Sequence, residues 1–308
     1  MRYFVTGATG WIGAATTAEL VDAGHEVRGL VRSDEAARRL EALGGIPWRG
    51  DLADPEGLAR AADESDGVVH LAFAHDVAWR GDFVSAATTD RRAVEAMGTA
   101  LAGSGRPLIL ASGVAGLDHG RPATESDGLV PSAATRALPV GRRAATALYV
   151  LSLRGVDVRS CVLRFPPTVH GAGDHGFVAW IASVAHRAGA SAYVGDGANA
   201  WSAVHVADAA RLVRRALEDA PAGSVLHAVA EEGVPFREIA AAIGRSLGVP
   251  TRSISPEEAR AQFDHLGPFV AMDVRARAAV TSELLGWAPR ESTLIEDVDA
   301  GHYRPTSP

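Results

Sequence analysis

The passage from Tyr3 to Ala23 constrains the fold more than any other. A short run of aromatic and β-branched residues, Tyr3-Phe4-Val5, leads through Thr6-Gly7-Ala8-Thr9-Gly10-Trp11-Ile12-Gly13 straight into an alanine-rich helical stretch. A tight turn between a first strand and a helix gathers backbone N–H groups and the positive helix end at one point, where a pyrophosphate can sit. Glycines let the backbone approach it, here as G-x-x-G-x-x-G rather than the commoner G-x-G-x-x-G. The residues expected to hold a dinucleotide at this turn are Gly7, Thr9, Gly10, Trp11, Ile12 and Gly13.

The next 140 or so residues repeat the same alternation, which signals a parallel sheet wrapped by helices. Strands are predicted at Tyr3–Val5, Glu26–Val31, Pro47–Arg49, Val68–Leu71, Leu108–Ala111 and Asp157–Leu163, with helical patterns at Ala14–Ala23, Glu35–Leu43, Pro55–Ala62, Asp90–Ala102 and Val140–Leu153. Gly24 and Gly155 have the character of helix-ending residues. After Arg164 the pattern changes. Phe165-Pro166-Pro167 interrupts the strand, a Gly- and His-rich loop follows at 170–176, and a helix begins near Phe177. Val204–Val206, the helix Ala207–Leu217 and Val225–Val229 return to the sheet. The division expected is a nucleotide-binding core of 1–165 plus about 204–229, covered by a small, mostly helical lobe of about 166–203 plus 230–308.

Composition narrows the chemistry. All 30 cationic residues of the 308-residue chain are arginine and none is lysine. That excludes a Schiff-base lysine and the glycine-loop lysine of phosphate-loop NTPases. The net charge of -7 argues against a nucleic-acid partner. No apolar stretch approaches the ~18 residues of a membrane span, and the N-terminus is too quickly glycine-rich for a signal peptide. These features lead to the expectation of a cytoplasmic protein with a small-molecule substrate. The single cysteine, Cys161, lies in an apolar run and reads as a buried hydrophobe rather than a nucleophile.

Residues 6–13, Thr-Gly-Ala-Thr-Gly-Trp-Ile-Gly, resemble the cofactor fingerprint of the extended and atypical short-chain dehydrogenase/reductases, a superfamily of epimerase- and dehydratase-like NAD(P)-dependent enzymes with a Rossmann-type doubly wound α/β fold. The resemblance continues in order through Gly50-Asp51-Leu52, Val69-His70-Leu71-Ala72, Val162-Leu163-Arg164 to Val169-His170-Gly171, and Ala203-Val204-His205-Val206-Ala207-Asp208. It spans nearly the whole chain. It implies adenine contacts at Asp51 and Leu52, and nicotinamide-side contacts at Leu71, Ala72, Phe73, Ser112, Arg142, Arg143 and Phe165. Relatives often dimerise through the helices at Asp90–Ala102 and Val140–Leu153, so a homodimer is an open expectation.

The cofactor type turns on the end of the second strand, where an acidic residue would bind a ribose hydroxyl and arginine a 2'-phosphate. Here the strand ends in Arg32-Ser33. A fixed, planar cation suits phosphate, so NADP(H) is expected in preference to NAD(H), with Arg32 and Ser33 as its contacts.

The superfamily's proton-transfer pair is missing. A Tyr-x-x-x-Lys cannot exist without lysine; its lysine would fall at Arg142 or Arg143 and its tyrosine at Leu138 or Pro139. The serine element is reduced to Ser112, which is expected to orient a carbonyl. Candidate replacements for the proton donor are His75-Asp76, Asp118-His119, His170 with Asp174 and His175, Tyr193 and His205. His170, His175 and Tyr193 are preferred, because the loop that carries or adjoins them faces substrate in relatives. No other part of a metal signature accompanies the His/Asp loop, so no metal site is expected. Trp180, Phe177, Trp201 and Phe269 are candidates to line an apolar pocket.

The expected function is an NADP(H)-dependent oxidoreductase acting on a small, fairly apolar carbonyl, imine or enone, with a non-standard proton donor. The alternatives are a non-redox isomerase, cyclase or dehydratase on the same fold, and an NADP-sensing regulator.

Overall fold

The computed structural model describes residues 1–117, 120–128 and 139–304. Its first half runs β1 (Arg2–Thr6), α1 (Trp11–Asp22), β2 (Glu26–Val31), α2 (Asp34–Ala42), β3 (Ile46–Arg49), α3 (Pro55–Asp63), β4 (Gly67–His70), α4 (His75–Trp79), α5 (Phe83–Leu101) and β5 (Pro107–Gly113). After it come α6 (Pro139–Ser152), β6 (Arg159–Phe165), β7 (Thr168–His170), α7 (Phe177–Ala188), β8 (Ser191–Val194), β9 (Ala200–His205), α8 (Val206–Asp219) and β10 (Ser224–His227). The chain closes with β11 (Glu231–Pro235), α9 (Phe236–Leu247), β12 (Thr251–Ile254), α10 (Pro256–Phe263), α11 (Gly267–Val270), α12 (Ala279–Leu285) and α13 (Leu294–Asp299).

Seven strands form one parallel sheet in the order β10-β6-β5-β4-β1-β2-β3. This is the doubly wound α/β arrangement that the alternation predicted. The side-chain period of two divides β1 between its layers: Tyr3 and Val5 enter the core shared with Leu20 and Leu212 on α1 and α8, while Phe4 enters the opposite core with Leu58 and Met97 on α3 and α5. Because β1 reverses the strand order between β2 and β4, the ends of β1 and β4 open a crevice, the usual ligand position in such sheets.

A separate apolar cluster fills the smaller lobe around Trp201, Phe236, Ile239, Phe263 and Val270. This lobe is less helical than expected. It adds a three-strand sheet, β11-β9-β7, and a parallel pair, β12-β8. Pro166 and Pro167 end the ladder of β6, yet the chain resumes at once as β7 beside β9, so His170 lies in a strand rather than a loop. Helix α5 also starts earlier than expected, at Phe83, where the Asp82 side chain accepts from the Ser85 N–H at 3.0 Å and caps it. Among the described residues, no helix is long and apolar enough to cross a membrane.

Candidate active site

The glycine turn is built so tightly that two of its positions admit no side chain. A Cβ on Gly13 would stand 1.9 Å from the Gly7 carbonyl oxygen, and one on Gly7 would stand 2.9 Å from the Ala72 nitrogen. Gly7 also has a φ of 71°, in the left-handed region that favours glycine. The Gly10 N–H closes the turn on the Gly7 carbonyl at 2.9 Å, and α1 begins at Trp11 with no side chain capping it. The first-turn N–H groups therefore face an opening with no protein acceptor from a cap, the arrangement that suits a pyrophosphate. Trp11 seals one side: its indole Nε1 donates to the Val169 carbonyl at 2.7 Å, and His175 lies edge-on to it with ring centroids 5.9 Å apart.

At the end of β2, Ser33 caps α2 by accepting from the Ala36 N–H at 3.2 Å. Arg32 is exposed and makes no ion pair among the described residues, whereas the neighbouring acid, Asp34, is held by Arg49 from β3. The Asp51 carboxylate closes its own turn on the Ala53 N–H at 2.8 Å, and Leu52 packs on the core beneath.

Leu71, Ala72 and Phe73 form the wall beyond β4, with Phe165 and Val114 buried nearby at the ends of β6 and β5. The Ser112 hydroxyl makes no hydrogen bond among the described residues. The two arginines at the expected lysine position face opposite ways in α6. Arg142 points outward and is exposed, while Arg143 turns inward, donates to the Ala111 carbonyl at 2.9 Å and lays its guanidinium 4.3 Å from the Phe73 ring centroid. Desolvation lowers the Arg143 pKa, and Asp90 opposes that shift. If Arg143 is the counterpart of the lysine, the tyrosine position is Pro139, which has no proton to exchange. Leu138, Asp118 and His119 lie outside the described residues, as does the side chain of Pro139.

The preferred proton donors do not converge. His170 is 1 % exposed; its Nδ1 donates to Asp297 Oδ2 at 2.6 Å, and its buried Nε2 has no hydrogen-bond partner among the described residues, lying 3.8 Å from Glu231 Oε1. Burial lowers its pKa against the pull of Asp297. It belongs to a polar knot that ties β7 to α13 and is closed to substrate, which corrects its expected role as a donor. The strand β7 carries it inward, where a loop would have carried it out. His205, edge-on to His170 at 5.5 Å, spends its Nδ1 accepting from Ala207 N–H at the start of α8. Asp174 is buried, raised in pKa by burial, and accepts from the Gly176 N–H and the Tyr303 hydroxyl. His175 alone of this group is exposed, over the start of α1. Tyr193 is half-buried in the small lobe, facing Gly197, where an added Cβ would stand 2.6 Å from its ring. Of the proposed pocket residues, Trp201 is fully buried; Phe177 and Phe269 stack at 4.9 Å beside it, and all belong to the small-lobe core. Cys161 is buried, and desolvation pushes its thiol up to about 12, so it is no nucleophile.

Residues 3–228 match the family described as the NAD dependent epimerase/dehydratase family. The chain belongs to that family. It is 45% identical to an uncharacterized protein of Schizosaccharomyces pombe over 98% of this chain and 100% of the other. It is 30% identical, over 96% of this chain and 89% of the other, to a 4-hydroxy-2-methyl-3-oxo-4-farnesyl-3,4-dihydroquinoline-1-oxide ketoreductase of Stigmatella aurantiaca. The fold is shared with a dTDP-glucose 4,6-dehydratase, DesIV of Streptomyces venezuelae, at a TM-score of 0.77 and 21% identity over 99% of this chain and 96% of that one.

The sequence reading missed one buried relay in this family site. Thr6 Oγ1 accepts from the Ala72 N–H at 3.2 Å and donates to His70 Nδ1 at 2.8 Å, and His70 Nε2 donates to Asp90 Oδ1 at 3.1 Å. It links the glycine turn, the wall of Leu71, Ala72 and Phe73, and α5. The Val-His-Leu-Ala motif marked the strand, but no sequence signal pairs His70 with a residue 20 positions away.

Proposed function

We propose that the protein is an NADP(H)-dependent oxidoreductase that moves a hydride to or from a carbonyl, imine or enone carbon of a small, fairly apolar molecule. The observation that carries the cofactor choice is Arg32, exposed and without an ion pair among the described residues just past the end of β2, beside the helix-capping Ser33, while Asp34 pairs with Arg49. An anionic 2'-phosphate finds a fixed cationic donor there. The turn at Gly7, Gly10 and Gly13 would hold the pyrophosphate with Thr9, Trp11 and Ile12, Asp51 and Leu52 the adenine side, and Leu71, Ala72, Phe73 and Phe165 the nicotinamide side. Ser112 would orient the substrate oxygen.

The carbonyl substrate class is supported by the ketoreductase named among the relatives, and by the apolar wall of Phe73, Val114 and Phe165. The test has two parts. Absorbance at the reduced-nicotinamide band is followed with a panel of carbonyl, imine and enone acceptors, and NADPH affinity is titrated in Arg32→Ala. Loss of one charge-assisted contact should weaken NADPH about 10- to 100-fold, with NADH affected far less. An unchanged NADPH affinity rejects the cofactor choice. Tight NADPH binding without turnover of any acceptor rejects the enzyme reading in favour of a sensor.

A further inference from the structure

Pro139, four residues before Arg143, has no proton to exchange and His170 is buried, so the site needs another group to exchange a proton with substrate. One titratable ring stands with Arg143. His75, the first residue of α4, is exposed and meets Phe73 edge-on at 5.1 Å, with the ring planes at 70°. Arg143 covers the same Phe73 ring at 4.3 Å and is fastened to the Ala111 carbonyl, one residue before Ser112. Phe73 is thus a shared wall between the imidazole and the guanidinium, at the ends of β4 and β5 where the sheet opens. We infer that His75 is the catalytic residue that exchanges the proton with the substrate oxygen, and that Arg143 is its charged partner in the place a tyrosine and lysine would share. The inference rests on the oxidoreductase reading above.

The electrostatics agree with this geometry. Desolvation first, and then the nearby Arg143 charge, lower the His75 pKa below its ordinary 6.5, against the opposing pull of Asp76 on α4 and Asp90 on α5. A lower pKa makes the imidazolium a stronger acid and leaves a neutral base ready at pH 7. In reduction the carbonyl carbon gains the hydride pair supplied by the nicotinamide, the C=O π pair moves onto oxygen, and that oxygen takes the imidazolium N–H proton. The products are an alcohol, neutral imidazole and oxidised cofactor, and solvent returns the proton to the ring. In oxidation the neutral ring accepts the hydroxyl proton. Arg143, which cannot lose its own proton, stabilises the developing oxyanion and disfavours a charged ring after transfer has finished.

The first measurement needs no turnover. Histidine resonances of the free protein are titrated by NMR in the wild type and in Arg143→Gln. The His75 midpoint should lie below 6.5 and move upward toward it when Arg143 is removed. Adding NADPH should shift the His75 resonance but not those of His25 or His186. The second measurement is kinetic. His75→Asn and His75→Gln should lower turnover about 10²–10⁴-fold with NADPH affinity within about twofold of the wild type, and should flatten the alkaline limb of the reduction profile, where the wild-type ring loses its proton. Arg143→Gln should move that limb to higher pH. A His75 midpoint that ignores Arg143, or a His75→Asn enzyme with full turnover, overturns the inference and leaves the oxidoreductase reading standing. A wild type that binds NADPH but reduces no acceptor rejects the reading, and the proton-exchange role of His75 falls with it.

Discussion

Thr6 and His70 are joined by a 2.8 Å hydrogen bond between Oγ1 and Nδ1, and its direction is fixed by what surrounds it. The Asp90 carboxylate only accepts, so Nε2 carries the ring proton, and the Thr6 hydroxyl, which also accepts from the Ala72 N–H, donates its own proton to Nδ1. One carboxylate therefore sets the tautomer of a fully buried ring. Thr6→Val keeps the shape and removes both bonds, stranding a buried acceptor and a backbone donor. The expected cost is about 1–3 kcal/mol in urea denaturation. NADPH affinity should fall as well, because Ala72 lies against the Gly7 turn; an unchanged stability would show that the relay is dispensable.

Gly13→Ala tests the turn itself. Its Cβ would meet backbone, the Gly7 carbonyl at 1.9 Å, so no flexible side chain can yield. The turn must open, and NADPH binding should drop at least about 100-fold, on the order of 3 kcal/mol. Gly155→Ala is the control, since nothing lies within 4 Å of its Cβ position. It should bind NADPH as the wild type does. Fluorescence titration of the reduced nicotinamide reads both.

The extent to which sequence carried this structure follows from range. Gly7, Gly10 and Gly13 are legible because the turn's demands fall within eight residues and a strand and helix flank it. The central strands of the sheet are legible because buried parallel strands read as apolar runs, as in β1, β4, β5 and β6. The short strands β8, β11 and β12 carry no such run: Thr251, Arg252 and Ser253 are exposed at an edge, so hydrophobic periodicity does not mark them. His170 was read as a loop residue because Pro166 and Pro167 stop a ladder. Proline stops one ladder without forbidding the next, and β7 joins another sheet. The inward turn of Arg143 and the outward turn of Arg142 depend on the phase of α6, which sequence spacing leaves open by one residue.

A pH signature should come from His227. Its Nδ1 donates to the Arg277 carbonyl at 2.7 Å, so its Nε2 lone pair faces Arg164 at 3.3 Å. Burial first, with the Arg164 charge also unfavourable, lowers its pKa to about 4 from 6.5, although Glu125 and Asp127 pull the other way. Between those values the unfolded chain holds the proton and the folded chain does not. Stability should therefore rise with pH across roughly 4 to 6.5, and be lost as the pH falls through that window, by at most about 1.4 kcal/mol per unit from this group. Asp174 and Glu231, raised by burial, act in the opposite sense. The difference between wild type and His227→Gln isolates the histidine. The stability–pH slope should be shallower in the variant over this range, and equal slopes would refute the assignment.

Asp208 predicts the reverse pattern, a large effect on stability and a small one on chemistry. It is 1 % exposed, accepts from the Arg290 and Glu291 N–H groups at 2.9 and 3.0 Å, and pairs with Arg211. Its backbone carbonyl also accepts from the Trp287 indole at 3.2 Å. One carboxylate thus pins the 287–291 segment to the start of α8, far along the chain from the glycine turn. Asp208→Ala strands two backbone donors and leaves Arg211 with Glu291 alone, for an expected loss of about 2–4 kcal/mol. Proteolysis should then cut near residue 290 faster, while NADPH affinity of the surviving folded protein stays within about twofold, well under 1 kcal/mol. A large drop in nucleotide affinity with unchanged proteolysis would instead place Asp208 in the site.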